Sequence, residues 1–258
     1  VDGTFPNHLP DPSRQENLGD MIAAVQHYQA DIGIALDGDG DSLGIVDSKG
    51  RHVLIDRLMM LFAKDVLESR AGAQVIYDVS CSKHLGEIIV KFGGRPIISE
   101  AGDAIIRTKI RETGAKLAGE MGGHIFFNDR WFGFDDGLYA AARLIQILSA
   151  DPRSSSDLFA SLPDSVNTPE LVVELPAGEN LKIIEAMRAN VKLKDAKVLD
   201  LDGVRYDFVD GSCTLRPSKS SPNLLLRFEG DTREVMERIQ TQFKTYLTGI
   251  KSDIHLPF

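Results

Sequence analysis

The chain has 258 residues and carries 29 Lys plus Arg against 38 Asp plus Glu, a net charge of −9. Its 43% hydrophobic and 26% charged residues form an ordinary globular composition, which excludes a disordered chain, and the length fits two domains of ordinary size or three small or incomplete ones. The acidic balance gives no drive toward nucleic acid or an anionic membrane, although it is compatible with a local basic pocket. The longest apolar run, Leu58 to Ala63, is six residues, whereas a membrane helix needs about 20.

Cys81 and Cys213 are the only cysteines and sit in no CxxC pair, so reduced thiols are expected in place of a disulfide framework. The chain opens on Val1-Asp2-Gly3-Thr4-Phe5-Pro6, with no Met and no signal peptide, and reads as a cut in a longer protein. Leu18, Met21, Ile22 and Val25 predict a helix over about 16–29. Two short strands come next, 31–36 and 43–46, with a turn at Ser48-Lys49-Gly50; this first segment is too small to bury a good core alone. Asp56 is placed as the cap of a helix to about Ser69, followed by a strand at 74–79, a helix at 82–92 stopped by Gly93-Gly94, and a strand at 95–99. Asp103 is placed as the cap of a helix to Thr113, 116–119 and 124–127 as short strands, and Asp136 as the cap of a helix to about Ser149. This β-α-β-α-β order predicts a parallel sheet with helices on both faces.

Residues 151–168, rich in Ser, Asp and Pro, read as a linker with Phe159 and Leu162 as anchors. Beyond it the sequence predicts strands at 171–175, 198–201, 204–208, 213–215 and 224–229, and a helix at 179–188. Asp231 with Glu234 has the spacing of a capping box for a final helix striped by Val235, Ile239, Phe243 and Leu247. The expected architecture is α/β: a partial mixed α/β domain, a three-layer α/β domain and a C-terminal α+β domain with a mainly antiparallel sheet.

The strongest chemical signal is Asp37-Gly38-Asp39-Gly40-Asp41, directly after a buried-type strand. Glycines between alternate carboxylates let them converge, and an all-oxygen set suits Mg²⁺; a solvated acidic turn is the bland alternative. The following Ser42 and Ser48 exclude an EF-hand. Glu120 and His124 share the loop Gly119-Glu120-Met121-Gly122-Gly123-His124, which fits a sugar diol or a plain tight hairpin. Arg216-Pro217-Ser218-Lys219-Ser220-Ser221-Pro222 offers cations and hydroxyls to a phosphate, or is a solvated loop. The cluster Arg130 to Asp136, holding the only tryptophan, Trp131, reads first as packing at a domain junction.

In this order and spacing, Val1 to His8, the Asp37 to Asp41 loop, Gly119 to His124, Arg130 to Asp136, and Arg216 to Pro222 followed by Leu225-Leu226-Arg227-Phe228-Glu229 resemble the α-D-phosphohexomutases, in particular the bacterial phosphomannomutase/phosphoglucomutase enzymes. The resemblance covers nearly the whole chain. It implies the C-terminal part of a four-domain parent: 1–51 as the end of domain 2 with the metal loop, 52–163 as the sugar-binding domain 3, and 164–258 as the phosphate-binding domain 4. It implies Mg²⁺ on Asp37, Asp39 and Asp41, sugar hydroxyls on Glu120 with His124 nearby, and the non-transferred phosphate on Arg216, Ser218, Lys219 and Ser220. The implied reaction interconverts hexose 1- and 6-phosphates in the cytoplasm through a bisphosphorylated sugar, starting from a phosphoserine in domain 1, which nothing in this chain matches.

The sequence departs from the family pattern at four places near the implied site. Ser42 stands where the family has Arg, Ser80 where it has Lys, Asp103 where it has His, and Gly122 where it has Ser; the 216–222 loop keeps only Arg, Ser and Pro of its pattern. Because nothing in this chain matches the nucleophilic serine, the chain by itself is expected to be inactive. A degenerate relative that binds phosphosugar or protein without turnover, and a pure interaction module, remain as alternatives. A partial domain 2 is further expected to expose a strand edge, so that the chain self-associates, binds a missing half, or holds residues 1–50 poorly ordered.

Overall fold

The helical repeat at Leu18, Met21, Ile22 and Val25 becomes a 3₁₀ turn, Gln15–Leu18, running into α1 (Gly19–Tyr28), with Leu18 and Val25 packed on Val46. The structure, a computed structural model, describes residues 2–191, 193 and 195–258. It divides into two compact units, Val1–Pro163 and Asp164–Phe258. In the first unit β1 (Ile32–Leu36) pairs antiparallel with β2 (Leu43–Asp47), and β3 (His52–Val53), which the sequence pattern did not predict, pairs with β2. Among the described residues β1 has no strand on its other side.

The β2 strand is buried along its whole length because both faces are covered. Val46 lies against α1, while Leu43 and Ile45 enter a larger core built around α2 (Ile55–Ser69). The first 50 residues thus share a core with α2 and the elements packed on it, which offsets their small size. Asp56 is not the cap of α2, a correction to the sequence reading. It lies in the first turn, is buried, and its Oδ2 accepts the Ser82 N–H at 3.0 Å.

The second sheet of this unit contains β4 (Gln74–Asp78), β5 (Arg95–Ser99), β6 (Leu117–Gly119) and β7 (Ile125–Phe127) in the order β5-β4-β6-β7. Its first three strands are parallel, as the alternation predicted; β7 returns antiparallel to β6, so the sheet is mixed. Period-two alternation feeds two cores. Val75, Tyr77, Leu117, Ile125 and Phe127 face the core of α2, α3 (Lys83–Lys91) and α5 (Gly137–Ala150), while Ile76, Ala118 and Phe126 face α4 (Asp103–Thr113).

Ser82 caps α3 and Asp136 caps α5, its carboxylate accepting the Tyr139 N–H at 2.8 Å. Asp103 is the first residue of α4 and not its cap, which is Gly102; its carboxylate instead pairs with Arg107 one turn on. Part of the expected linker is also structured. The Ser and Asp residues there cap and form α6 (Ser155–Ala160), which buries Leu158 and Phe159 in the core and ties Ser155 Oγ to Asp31 O at 2.5 Å. Trp131 packs inside the first unit, stacked on Tyr139 with centroids 4.4 Å apart.

The second unit is one antiparallel sheet under two helices. Strands β8 (Val166–Asn167), β9 (Leu171–Val173), β10 (Ala196–Leu199), β11 (Val204–Phe208), β12 (Gly211–Pro217) and β13 (Leu224–Gly230) run in the order β10-β11-β12-β13-β8, with β9 also on β13. Helices α7 (Glu179–Asn190) and α8 (Arg233–Ile250) close its core, where Phe243 meets Tyr206 edge-on at 5.0 Å. The cap of α8 is Thr232, one residue after the predicted Asp231, because its hydroxyl accepts the Val235 N–H at 3.4 Å.

One buried charge joins three elements of the first unit. Arg143, 3% exposed on α5, donates to Asp129 at 2.8 Å and to Asp65 on α2, and lies over the Phe127 ring at 4.4 Å. Burial alone would raise the Asp129 carboxyl, but the Arg143 hydrogen bond and charge outweigh it and hold the group below its ordinary value. Arg143→Met is expected to cost about 3 kcal/mol in chemical denaturation at neutral pH, because Asp129 and Asp65 lose their buried partner and keep only Arg130, at 3.5 and 3.8 Å. A carboxyl held low stabilises the fold fully above its unfolded value of about 3.9, and loses that contribution as pH falls through the lower folded value. The gap between wild type and variant is therefore expected to narrow below about pH 4.

Candidate active site and metal loop

The loop 37–42 closes the β1–β2 hairpin and is folded by its own first carboxylate. Asp37 Oδ1 accepts the N–H groups of Gly40 and Ser42 at 3.0 and 3.2 Å. This winds the loop so that Asp37, Asp39 and Asp41 each offer an oxygen, all within 4.8 Å of one another. Burial pushes the Asp41 carboxyl up to about 6, reinforced by its hydrogen bond to Asp37. Asp37 is held below its ordinary value: burial opposes this, and hydrogen bonds from Ser42, Asp41 and Gly40 outweigh it. Burial, with the neighbouring Asp37 adding to it, thus favours a proton on Asp41, and a divalent cation would favour its ionised form instead. Asp41 Oδ1 is also buried and accepts no hydrogen bond from any described residue. An all-oxygen set of three converging carboxylates fits Mg²⁺.

The second loop, 120–124, joins β6 to β7 and lies against the first. The hairpin expected as the bland reading is present, with the Glu120 N–H on His124 O at 2.9 Å and the Gly123 N–H on Glu120 O at 3.0 Å. Glu120 is nevertheless 6% exposed and not a surface residue, and its Oε1 accepts the Gly102 N–H. Gly123 has φ +101°, and a Cβ there would stand 2.6 Å from Leu43 O. The Leu43 N–H bonds Gly123 O at 3.2 Å, and Ser42 and His124 form an antiparallel bridge.

These contacts place His124 Nδ1 3.3 Å from Asp41 Oδ1 and 3.1 Å from Asp135 Oδ2. Arg107 on α4 lies 3.3 Å from the other Asp135 oxygen and pairs with Asp103 through Nη2 at 2.7 Å. Asp41, His124, Asp135, Arg107 and Asp103 form one alternating chain of acidic and basic groups. The sequence reading singled out Asp41, His124 and Asp103 but missed Asp135 and Arg107. Asp135 was absorbed into an aromatic packing segment, and Arg107 was one cation among several on a helix. Arg107 stands four residues after Asp103, a spacing that pairs charges along a helix and was a readable signal.

The four departures fall at or beside this region. Ser42 is buried in the bridge to His124, and Ser80 is buried at the end of β4 with its N–H on Asp78. Asp103 is occupied by Arg107. A Cβ at Gly122 would meet the His124 ring at 3.7 Å, an ordinary contact, so a serine would fit there.

The phosphate-loop candidates lie together in the second unit. Arg216, near the end of β12, donates to Asp202 at 2.9 Å and to Glu170 at 2.8 Å. Ser218 is turned by its N–H to Asn223 O at 2.9 Å; its Oγ lies 2.9 Å from Ser221 Oγ and 3.4 Å from Ser220 Oγ. Lys219 and Ser220 are exposed at the tip.

Phosphoglucomutase/phosphomannomutase alpha/beta/alpha domain II matches residues 1–50 and domain III matches residues 55–166. The chain is 47% identical over 258 residues to a phosphomannomutase/phosphoglucomutase of Pseudomonas aeruginosa, covering 100% of this chain and 56% of that protein. It is 48% identical to a phosphoglucomutase of Neisseria gonorrhoeae, covering 99% of this chain and 55% of that one. A crystal structure of a phosphoglucomutase/phosphomannomutase family protein from Burkholderia thailandensis superimposes with a TM-score of 0.93 at 45% identity, covering all of this chain and 55% of its own. The chain belongs to the phosphoglucomutase/phosphomannomutase family, and it spans about half the length of the curated relatives it matches.

In carboxyl ¹³C NMR of the metal-free chain, Asp41 is expected to titrate near pH 6 and Asp37 below the ordinary carboxylate range. Saturating Mg²⁺ is expected to move the Asp41 midpoint down by more than one pH unit (roughly the effect of one close opposite charge). An unchanged midpoint would mean that the loop does not hold the ion.

Proposed function

We propose that these residues carry the metal, sugar and phosphate sites of a cytoplasmic phosphohexomutase that interconverts hexose 1- and 6-phosphates, glucose and mannose being the candidate sugars. The observation that carries this reading is the approach of the acidic loop to the glycine loop, Asp41 to His124 at 3.3 Å, in a chain 47% identical to a phosphomannomutase/phosphoglucomutase. Asp37, Asp39 and Asp41 hold Mg²⁺, which supplies positive charge to a phosphoryl group. Glu120 accepts hydrogen bonds from sugar hydroxyls, its carboxylate fixed by burial and by the Gly102 N–H. His124 lies between the metal loop and Asp135 and borders the same sugar. Arg216, Ser218, Lys219 and Ser220 bind the phosphate that is not transferred, through charge-assisted and hydroxyl hydrogen bonds. The family's nucleophilic phosphoserine has no match in these residues, so binding without turnover is expected of them alone. The assignment draws further support from the domain II and domain III matches.

One observation favours a second reading, a binder that no longer turns over. Asp103, at the position of a family histidine, is neutralised by Arg107 and offers no positive charge to a phosphate. Mutase assay of the full source protein separates the two readings: turnover supports the first, and phosphosugar binding without turnover supports the second.

Calorimetric titration of the chain with glucose 1-phosphate and mannose 1-phosphate in Mg²⁺ tests the sites themselves. Glu120→Gln is expected to weaken hexose-phosphate binding about tenfold, and Arg216→Met to weaken inorganic phosphate binding roughly tenfold to a hundredfold (about 1.5–3 kcal/mol per charge-assisted contact). Wild-type chain that binds neither sugar phosphate nor phosphate would overturn both readings.

A further inference from the structure

The β4 strand ends on Asp78, and its carboxylate reaches two loops at once. Asp78 is 1% exposed; Oδ1 accepts the Ser80 N–H and Oδ2 accepts the Met121 N–H, each at 2.5 Å. Strands β4 and β6 are parallel, with Tyr77 opposite Gly119, so their C-terminal ends lie side by side and both loops leave from the same edge. That edge is where open α/β sheets place ligands.

Met121 immediately follows Glu120, and the peptide joining them is held from both sides. Its carbonyl, Glu120 O, accepts the Gly123 N–H at 3.0 Å, and its N–H donates to Asp78. Fixing this peptide plane fixes the direction in which the Glu120 side chain leaves the backbone. The role requires two acceptors at one short side chain. Asn at this position would offer one acceptor and one donor, so that either Ser80 or Met121 would face an amide NH₂.

We infer that Asp78 is a positioning residue for the Glu120 sugar contact, which rests on the reading of Glu120 given above. Asp78 touches no substrate; it acts by locking the 120–121 peptide to the end of β4. The lock holds one sugar-binding loop, so its loss has a selective effect. A residue that merely stabilised the fold would weaken all ligands together, or none.

The test is Asp78→Asn in the full chain, at a temperature where circular dichroism shows it folded. Dissociation constants are measured for glucose 1-phosphate, for Mg²⁺ alone and for inorganic phosphate alone. The glucose 1-phosphate constant is expected to rise about tenfold, the order lost with one charge-assisted hydrogen bond, with the other two within about twofold of wild type. Asp78→Glu, which keeps both acceptors, is expected to fall between wild type and Asp78→Asn. An unchanged glucose 1-phosphate constant, or an equal rise for all three ligands, would overturn the inference. Glu120→Gln locates the failure: if it leaves sugar-phosphate binding unchanged, the reading of Glu120 is wrong and the inference falls with it. If Glu120→Gln weakens binding and Asp78→Asn does not, only the role of Asp78 is lost. Amide hydrogen exchange of Met121 in the wild-type chain decides the matter if Asp78→Asn does not fold. Strong protection supports the lock, and exchange at the rate of an open loop overturns it.

Discussion

Two backbones in the first unit approach more closely than a Cβ allows, and the candidate site depends on that approach. At Gly123 a methyl group would strike Leu43 O, and at Gly137 it would stand 2.7 Å from Ser42 O and 2.9 Å from Gly40 O. The Gly137 N–H also bonds Gly40 O at 3.0 Å, so the first turn of α5 docks directly on the acidic loop. The loop bearing three aspartates is thereby wedged between a helix start and a hairpin, and is not a free acidic turn. Its carboxylates converge because their backbone has nowhere else to go.

That crowding has an electrostatic consequence. Three aspartates within 4.8 Å repel. Burial, with the neighbouring Asp37 adding to it, raises the Asp41 carboxyl to about 6, and beyond it acidic and basic groups alternate through His124, Asp135, Arg107 and Asp103. Asp103 is part of this chain and not an isolated change. Placed at the start of α4, it has its opposite charge one turn away, so it is tolerated by the fold.

Buried carboxylates at strand ends and helix starts organise the rest of the region. Asp56 holds the Ser82 N–H, Asp78 holds Ser80 and Met121, and Glu120 holds Gly102. Each accepts backbone donors from a loop that has no ladder partner of its own, which is how irregular backbone survives burial. The arrangement places one binding candidate, Glu120, among residues whose work is structural, and gives its carboxylate a fixed direction.

The sequence by itself determined most of the helices and strands, though not β3, α6 or β8, the presence of a parallel sheet in the first unit, and the mainly antiparallel domain closed by the stripe through Ile239, Phe243 and Leu247. These depend on local periodicity and turn chemistry, which neighbouring residues carry. It also marked the acidic loop and the glycine loop, because clustered carboxylates and glycines are visible in a few consecutive letters. The caps were less legible: Asp56 and Asp103 resemble N-caps in sequence, yet a long-range partner at Ser82 and a helical partner at Arg107 claim them. Only the tertiary structure decided that Ser42 lies against His124, that Asp135 and Arg107 extend the charge chain, and that Asp78 grips a loop 43 residues away. Those pairings depend on strand register and on close backbone approach, neither of which any single stretch of the chain records.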